Sequence, residues 1–273
     1  MSITKHVPGP PLRDFIELFW FLDGRGLAER TQKEAILPDG CAALVINLSE
    51  NVVRIFEDIR NDSSTKLSGS IFCGPQSTPY AVAPTATSVI GVHFRPGGAF
   101  SFLPMPLEEL RNAHVAIESI YGASAGALRD RLINAITARE KFAILENFLR
   151  CRMIGSVPLH RAVTHAVRCF QSERTPAVSE IVEQIGLSSR RFSRIFSEQV
   201  GLTPKVFHRV QRFQRTMDSV TSAREVDWPR LAVEAGYYDQ AHFIHEFHSF
   251  CSVTPSTFLG TTVGQRNHLP LRS

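Results

Sequence analysis

Three histidines and two acidic residues crowd one short stretch near the C-terminus, GYYDQAHFIHEF and the residues just after it, from Gly236 onward. These residue types bind metals and move protons, so a zinc site or a catalytic cluster is the first hypothesis to weigh. The histidines follow the order H-x-x-H-E-x-H, not the H-E-x-x-H of zinc peptidases, and His245 and His248 share one side of a helix with His242 at its edge. We therefore predict no metal site here, and expect this helix to present an outer face to another molecule.

The same stretch repeats a pattern that occurs earlier in the chain. Gly186 matches Gly236 at an offset of 50, and after one inserted residue the Thr-Pro pairs at 203–204 and 254–255 match at an offset of 51. Each copy has the pattern of a short amphipathic helix, a glycine turn and a second helix. We predict a duplicated helix-turn-helix, joined by a continuous helix over 206–220.

The second helix of the first copy has two distinct faces. Phe192, Ile195 and Phe196 fall at i, i+3 and i+4 and are predicted to face a core. The opposite side is rich in hydrogen-bond donors and almost free of acid. That composition suits the major groove of DNA, where arginine bonds guanine through two atoms, and the alternative is an ordinary exposed helix.

The charge of the chain is unevenly distributed. Residues 1–150 hold 15 Lys and Arg against 16 Asp and Glu, whereas residues 151–273 hold 15 against 10. The excess is densest over 188–215, where seven basic residues accompany a single acid, Glu198. Such a patch favours a polyanionic partner, although a solvated helix face would look similar by charge alone.

The N-terminal half is rich in β-branched residues and turn signals. Apolar runs at 41–48, 52–56, 70–73, 80–83 and 87–94 predict strands, and we expect the first two to form a hairpin. From residue 107 the pattern becomes helical and supplies an apolar stripe suited to pairing two chains. The prediction is an α+β protein: a β-rich N-terminal domain with helices, for which a cupin-like arrangement is one candidate, followed by an all-α domain of two helix-turn-helix units.

A cupin-type metal centre needs a His-x-His pair and further ligands. The N-terminal half has only His6, His93 and His114 and no His-x-His, so we predict no metal, no cofactor and no enzymatic activity. One alternative is a cupin-like metalloenzyme or small-molecule-binding protein with an accessory nucleic-acid-binding domain. Another is a sequence-neutral DNA-binding protein, which would be basic throughout.

In its C-terminal part the chain resembles the AraC/XylS family of bacterial transcription regulators. The resemblance rests on the two helix-turn-helix units, the linking helix and the signature G-Y-Y-D-Q-A-H-F…F…T-P…F at 236–258, and it covers about 158–260. It implies sequence-specific binding to double-stranded DNA through the outer faces of both second helices. The chain departs from the family at Ser252, where glycine is usual, and at His245, where arginine is common.

Carried over by position, the resemblance nominates the outer faces and the starts of both helices as DNA contacts. In the first copy these residues are Ser189, Arg190, Arg191, Ser193 and Arg194. In the second copy they are Gln240, Ala241, His242 and His245. Lys205, Arg209 and Arg212, just after the first of these helices or along the linking helix, are predicted phosphate contacts.

Three N-terminal motifs resemble a sensor domain found ahead of such DNA-binding domains: Leu37-Pro38-Asp39-Gly40-Cys41, Gly74-Pro75-Gln76 and the segment 94–99. The resemblance implies a regulatory role and names no ligand. In plain physical terms the motifs are turns. His93 and Arg95, at a strand end, are the alternative candidates for an effector pocket, with Arg95 binding an anion.

The remaining features concern organisation and cellular location. The five cysteines are odd in number and form no C-x-x-C, so we expect reduced thiols. No signal peptide or membrane span is apparent, so we expect a cytoplasmic protein without a membrane partner. We predict a sensor or dimerisation domain over 1–150, a DNA-binding domain over 158–260 and a tail over 261–273. A small-molecule effector and a second copy of the chain are the expected further partners.

Overall fold

The computed structural model describes residues 2–24, 33–83, 88–153, 158–172, 176–222, 226–259 and 267–271. The strands are β1 Ser2–His6, β2 Ile16–Asp23, β3 Glu34–Ile36, β4 Ala43–Asn47, β5 Val52–Phe56, β6 Thr65–Ser68, β7 Ser70–Cys73, β8 Tyr80–Val82, β9 Ser88–Phe94, β10 His114–Ala116 and β11 His268–Pro270. The helices are α1 Glu118–Tyr121, α2 Ala123–Asn134, α3 Ala138–Arg150, α4 Arg161–Gln171, α5 Val178–Ile185, α6 Ser189–Val200, α7 Pro204–Ser222, α8 Trp228–Glu234, α9 Gln240–Cys251 and α10 Pro255–Leu259.

Two antiparallel sheets build the N-terminal domain. The six-stranded sheet has the order β1-β2-β9-β4-β7-β10, and the five-stranded sheet has the order β11-β3-β8-β5-β6. The sheets pack on each other through a cluster that includes Ile55, Ile71 and Cys73. The β-rich N-terminal domain predicted from the sequence is thus confirmed, and the five predicted strands correspond to β4, β5, β7, β8 and β9. The predicted start of the last strand at Thr87 lies outside the described residues.

The predicted hairpin of β4 and β5 is wrong, because the two strands belong to different sheets. Strand β4 pairs with β7 and β9, whereas β5 pairs with β6 and β8. Asn47 directs the chain from one sheet to the other: its side-chain oxygen accepts bonds from the amides of Ser49 and Glu50, and its amide donates to the Val52 carbonyl at 3.0 Å. This turn, held by a side chain, replaces the ladder that a hairpin would form.

Helices α2 and α3 cover the six-stranded sheet. Their stripe of Leu128, Leu132, Phe142, Leu145, Phe148 and Leu149 is buried in one core with the strand residues. Most of the apolar stripe that we expected to pair two chains is therefore buried inside the domain, whereas Ile133 and Ile136 of the same predicted stripe are exposed. A capping box at Thr137 and Glu140 fixes the start of α3.

The duplicated helix-turn-helix is confirmed. Helices α5 and α6 form the first unit, α8 and α9 form the second, and the 19-residue α7 joins them. The side chains of Ser188 and Asp239 cap the starts of α6 and α9. Each helix ends on a residue in the left-handed region, Gly201 with φ 87° and Ser252 with φ 57°, so the serine adopts the conformation that glycine has in the first copy.

Candidate DNA interface and its link to the N-terminal domain

The outer face of α6 is open to solvent. Ser189, Arg190, Arg191 and Arg194 are exposed and Ser193 is half-buried, while Phe192 and Phe196 are fully buried on the other side. The buried phenylalanines anchor α6 against α4 and α7 in an aromatic cluster with Phe170 and Phe207. The nominated residues of this helix are therefore held at the surface by a rigid core, as a base-reading face requires.

The outer face of α9 is also exposed but chemically different. Gln240, Ala241, His242 and His245 are exposed, as are Ile244 and His248. Phe243, Phe247 and Phe250 are buried against α7 and α8. Alanine and histidine thus occupy the positions where the first copy has arginine, and Ile244 lies where it has Ser193.

Glu246 lies on the buried side of α9 and binds two arginines of α7. Its side chain is 4% exposed. Arg209 Nε donates to Oε2 at 2.9 Å, and Arg212 donates to Oε1 from Nε at 3.2 Å and from Nη2 at 2.5 Å. The Arg212 guanidinium also stacks over Tyr237 at 4.2 Å and donates to the Gly236 carbonyl. A buried carboxylate with several charge-assisted bonds fixes α9 and its turn to the linking helix.

This network changes the interpretation of the predicted phosphate contacts. Arg212 is 12% exposed and is committed to Glu246, and Arg209 is 40% exposed and shares the same carboxylate. Lys205 is exposed at the start of α7. Of these three, Lys205 has the most open environment for a phosphate contact, Arg209 is partly open, and Arg212 is largely enclosed. Both arginines also link α7 to the second helix-turn-helix.

The N-terminal domain binds the linking helix directly. Gln211 Nε2 donates to the Asp39 carbonyl at 2.9 Å, and Gln214 Nε2 donates to the Pro38 carbonyl at 2.8 Å. Gly40 has φ 77°, and a Cβ added there would lie 3.0 Å from the Phe207 ring, so glycine is needed both for the turn and for the close approach. The Leu-Pro-Asp-Gly turn is thus the docking point of α7.

A second link comes from the end of the chain. Strand β11, within the segment that the sequence analysis assigns to a tail, pairs with β3 at the edge of the five-stranded sheet. Leu269 joins Ala35 and Leu37 in the core that contains Val210 and Phe213 of α7. The chain therefore returns to the N-terminal domain after the second helix-turn-helix.

His93 and Arg95 do not form the anion pocket that we considered. His93 Nδ1 lies 2.9 Å from Glu17 Oε2 and Nε2 lies 2.8 Å from Asp39 Oδ2. Burial by itself would lower the pKa of His93, but the charges and hydrogen bonds of Asp39 and Glu17 outweigh it and raise the pKa to about 10. Arg95 is exposed and its Nε donates to the Arg13 carbonyl. Two carboxylates flank the imidazole, so this position favours a cation.

Sequence reasoning missed three positioning residues. The buried position of Glu246 could have been predicted from the sequence. Its spacing of i, i+3, i+4, i+7 with Phe243, Phe247 and Phe250 places this acid on the core side of the helix. The roles of Gln211 and Gln214 could not have been predicted, because the carbonyls they bind belong to a turn more than 170 residues away in the chain.

Two family models match the chain. A helix-turn-helix domain of the AraC type matches residues 181–261. A domain of unknown function, DUF6597, matches residues 4–116. No curated protein matches the sequence.

Among solved structures, ToxT from Vibrio cholerae matches over nearly its whole length. One crystal form has a TM-score of 0.48 at 9% identity, with 95% of this chain and 98% of that chain covered. ToxT bound to an unsaturated fatty acid has a TM-score of 0.45 at 11% identity, with 97% of both chains covered. These scores do not establish a shared fold, and the architecture rests on the elements described above.

Residues 181–261 thus match a helix-turn-helix domain of the AraC type and present two solvent-exposed second helices, which supports a role as a DNA-binding transcription regulator. Within the part of the chain that the structure describes, no helix is both long and apolar enough to span a membrane.

Proposed function

Because the chain carries an AraC-type domain, we propose that it is a one-component regulator that reads a specific DNA sequence with the outer faces of α6 and α9. The observation that carries this proposal is the exposure of the nominated residues on two helices that one linking helix holds in place. Arg190 and Arg194 are the main base readers, with Arg191, Ser189, Ser193, Gln240, Ala241, His242 and His245 beside them and Lys205 on phosphate. Regulation, not catalysis, is the proposed activity, and a regulator of this kind acts in the cytoplasm on the chromosome.

The experiment is a selection of binding sites from random duplexes with the full chain. We expect enrichment of one sequence with two half-sites, because two second helices in one chain read two major-groove segments. Affinity is then measured against salt concentration for the selected duplex and for a shuffled duplex. Equal affinities at every salt concentration would contradict sequence reading and would favour the sequence-neutral alternative.

For residues 1–150 we propose control of DNA binding through the docked turn, in response to an effector or to pairing of two chains. Support comes from the direct contacts of Pro38, Asp39 and Gly40 with α7 and from strand β11. We expect the double variant Gln211→Ala, Gln214→Ala to change affinity for the selected duplex, although neither residue lies on an outer face. Lys66→Ala, at an exposed residue of β6 remote from this turn in the chain, is the control. If both proteins bind like the wild type, the docked turn does not control the reader.

Self-association is a separate question from docking. Most of the stripe of α2 and α3 is buried, so a dimer would use the exposed Ile133 and Ile136 or another surface. Sedimentation of the full chain with and without the selected duplex tests for it. A single monomer species under both conditions would remove dimerisation from the proposal.

A further inference from the structure

The turn that docks the linking helix also brings together three side chains of metal-binding type. Asp39 and Cys41 lie in the connection between β3 and β4, and His93 is near the end of β9, whose register places it opposite Ala43. The ligand atoms of Asp39, Cys41 and His93 all lie within 4.8 Å of one another. The sequence analysis found no metal site because it sought a His-x-His pair, and these ligands come from two separate segments.

The hydrogen bonds of His93 match the surroundings of a metal-bound histidine. Its Nδ1 lies 2.9 Å from the Glu17 carboxylate, which leaves Nε2 directed at Asp39 Oδ2, 2.8 Å away. Histidines that bind metals typically pair the other ring nitrogen with a carboxylate or carbonyl in this manner, which sets the tautomer and the ring orientation. Glu17 is therefore a positioning residue and not a ligand.

The ligand atoms lie near enough to one another for a tetrahedral zinc site to form with small side-chain shifts. With zinc about 2.0–2.2 Å from nitrogen and oxygen and about 2.3 Å from sulfur, neighbouring ligand atoms lie roughly 3.3–3.6 Å apart. The Nε2 to Oδ2 distance needs to open by about half an ångström, and the Cys41 thiol completes three ligands within reach. The side chains of His93 and Asp39 are 28% and 25% exposed, so a water has access to the fourth position.

Imidazole, thiolate and carboxylate together favour Zn²⁺ over Mg²⁺ and Ca²⁺, which prefer oxygen ligands alone. In the metal-free protein the imidazole of His93 bridges the two carboxylates. A zinc ion between His93 and Asp39 would supply positive charge beside both carboxylates and would bind Cys41 as its thiolate.

We propose that Asp39, Cys41 and His93 form a zinc-binding site through which the sensor domain controls the linking helix. This inference rests on the proposed function, because it names the class of effector for the sensor. The coupling path is short. The Asp39 carbonyl accepts the Gln211 bond from α7, and Gly40 contacts Phe207, so any shift of Asp39 toward zinc moves the docking turn itself.

The test begins with zinc titration of the reduced full chain against a chromophoric chelator, in mildly alkaline buffer. We expect one equivalent to bind, and Co²⁺ to give a thiolate-to-metal charge-transfer band. Cys41→Ser should abolish that band, and His93→Gln should remove stoichiometric binding. Glu17→Gln should keep the band and weaken affinity about 10–100-fold, as loss of a partner behind a ligand does.

Two other pairs in the chain provide matched controls. Cys169 Sγ lies 3.5 Å from His165 Nε2 on α4, and His6 lies 2.7 Å from Glu146 without a cysteine. Cys169→Ser and His6→Gln should bind zinc like the wild type. Loss of binding in Cys169→Ser, or unchanged binding in Cys41→Ser and His93→Gln, would overturn the site.

The regulatory part is tested by affinity for the selected duplex with and without one equivalent of zinc. A several-fold change that Cys41→Ser removes would support it. Zinc binding with unchanged DNA affinity would overturn the coupling but leave the site, and no zinc binding with intact sequence-specific DNA binding would overturn the inference while the proposed function stands. Absence of sequence-specific binding in both states would instead contradict the proposed function.

Discussion

The two helix-turn-helix copies use the same scaffold with opposite placement of charge. In the first copy the basic residues sit on the outer face of α6, where Arg190 and Arg194 are exposed. In the second copy the outer face of α9 carries His242 and His245, and the nearest arginines lie on α7 and point at Glu246. The basic residues of this region thus have two environments: exposed on the outer face of α6 in the first copy, and paired with Glu246 behind α9 in the second.

One pair of matched positions shows the origin of this difference. Glu246 of α9 corresponds to Ile195 of α6 by the offset of 51. Ile195 packs with the apolar residues around Phe192 and Phe196, whereas Glu246 needs cationic partners because a buried carboxylate without them is strongly disfavoured. A single acid on a core face therefore decides that Arg209 and Arg212 turn inward.

The largest expected effect is on this buried carboxylate. Glu246→Ala removes the partner of two arginines and should lower the unfolding free energy of the second copy by about 3–5 kcal/mol. Urea unfolding is followed by the fluorescence of Trp228, which stacks on Phe243 at 5.9 Å and so reports on the second copy. A Trp20→Phe background removes the fluorescence of the other tryptophan. Ile195→Ala at the matched position should leave that signal nearly unchanged.

A compensated variant sharpens the same test. Glu246→Leu combined with Arg209→Met and Arg212→Met replaces the whole network with apolar groups and should recover most of the lost stability. A cost below about 1 kcal/mol for Glu246→Ala would mean that the network does not fix α9.

The next effect separates base reading from phosphate contact. Arg190→Ala and Arg194→Ala should each cost about 1–3 kcal/mol on the selected duplex and much less on a shuffled one. Lys205→Ala should weaken binding to both duplexes alike and reduce the slope of log affinity against log salt concentration by about one unit. If the arginine variants lose the same affinity for both duplexes, α6 does not read sequence.

Acid should weaken the first copy through His208, whose ring packs against Phe170 at 5.4 Å. Burial, reinforced by the charges of Arg212 and Arg215 and opposed by Glu246, lowers the pKa of His208 to about 4. The unfolded chain binds the proton at its ordinary pKa near 6.5, so stability falls as pH drops between about 6.5 and 4, by at most about 1.4 kcal/mol per pH unit for one proton.

The measurement is urea unfolding at a series of pH values for wild type and His208→Gln. The variant should have the flatter profile across this window, because glutamine does not titrate. Parallel profiles would show that His208 is not the buried titrating group.

A smaller effect is expected at His245 on α9. His245→Ala should cost less than about 1 kcal/mol on the selected duplex and relax preference at one base position, since imidazole makes one hydrogen bond where arginine makes two. His248→Ala, one position further along the exposed side, is the control. If His245→Ala keeps the full base preference of the wild type, His245 does not read sequence, and α6 would account for the reading assigned to these two positions.

The smallest effect concerns the helix ends. Ser252→Gly should raise stability by up to about 1 kcal/mol, because the left-handed conformation is unfavourable for serine and freely adopted by glycine. Gly201→Ser in the first copy should be destabilising, since a Cβ there would lie 2.6 Å from Pro75. A loss of stability in Ser252→Gly would show that the serine side chain stabilises the turn.

Periodicity and repetition made the DNA-binding domain predictable. The matched spacing of Phe192 and Phe196 with Phe243 and Phe247 fixes which side of each second helix is buried, and hence which residues are exposed. The strands at 52–56 and 70–73 were also readable, because β-branched runs bounded by turn residues have a local cause. Strand β2 is not among the predicted strands, since its nearly continuous apolar run lacks the alternation of a half-buried strand.

Only the tertiary structure decided how distant segments meet. The sequence by itself determined the two helix-turn-helix units, their linking helix and the outer faces, since each depends on residues a few positions apart. It did not determine the sheet to which β5 belongs, the return of β11 to β3, the partners of Arg209 and Arg212, or the meeting of Asp39 and Cys41 with His93. These contacts join residues tens to hundreds of positions apart, and their energies arise from burial and charge pairing that exist only once the chain has folded.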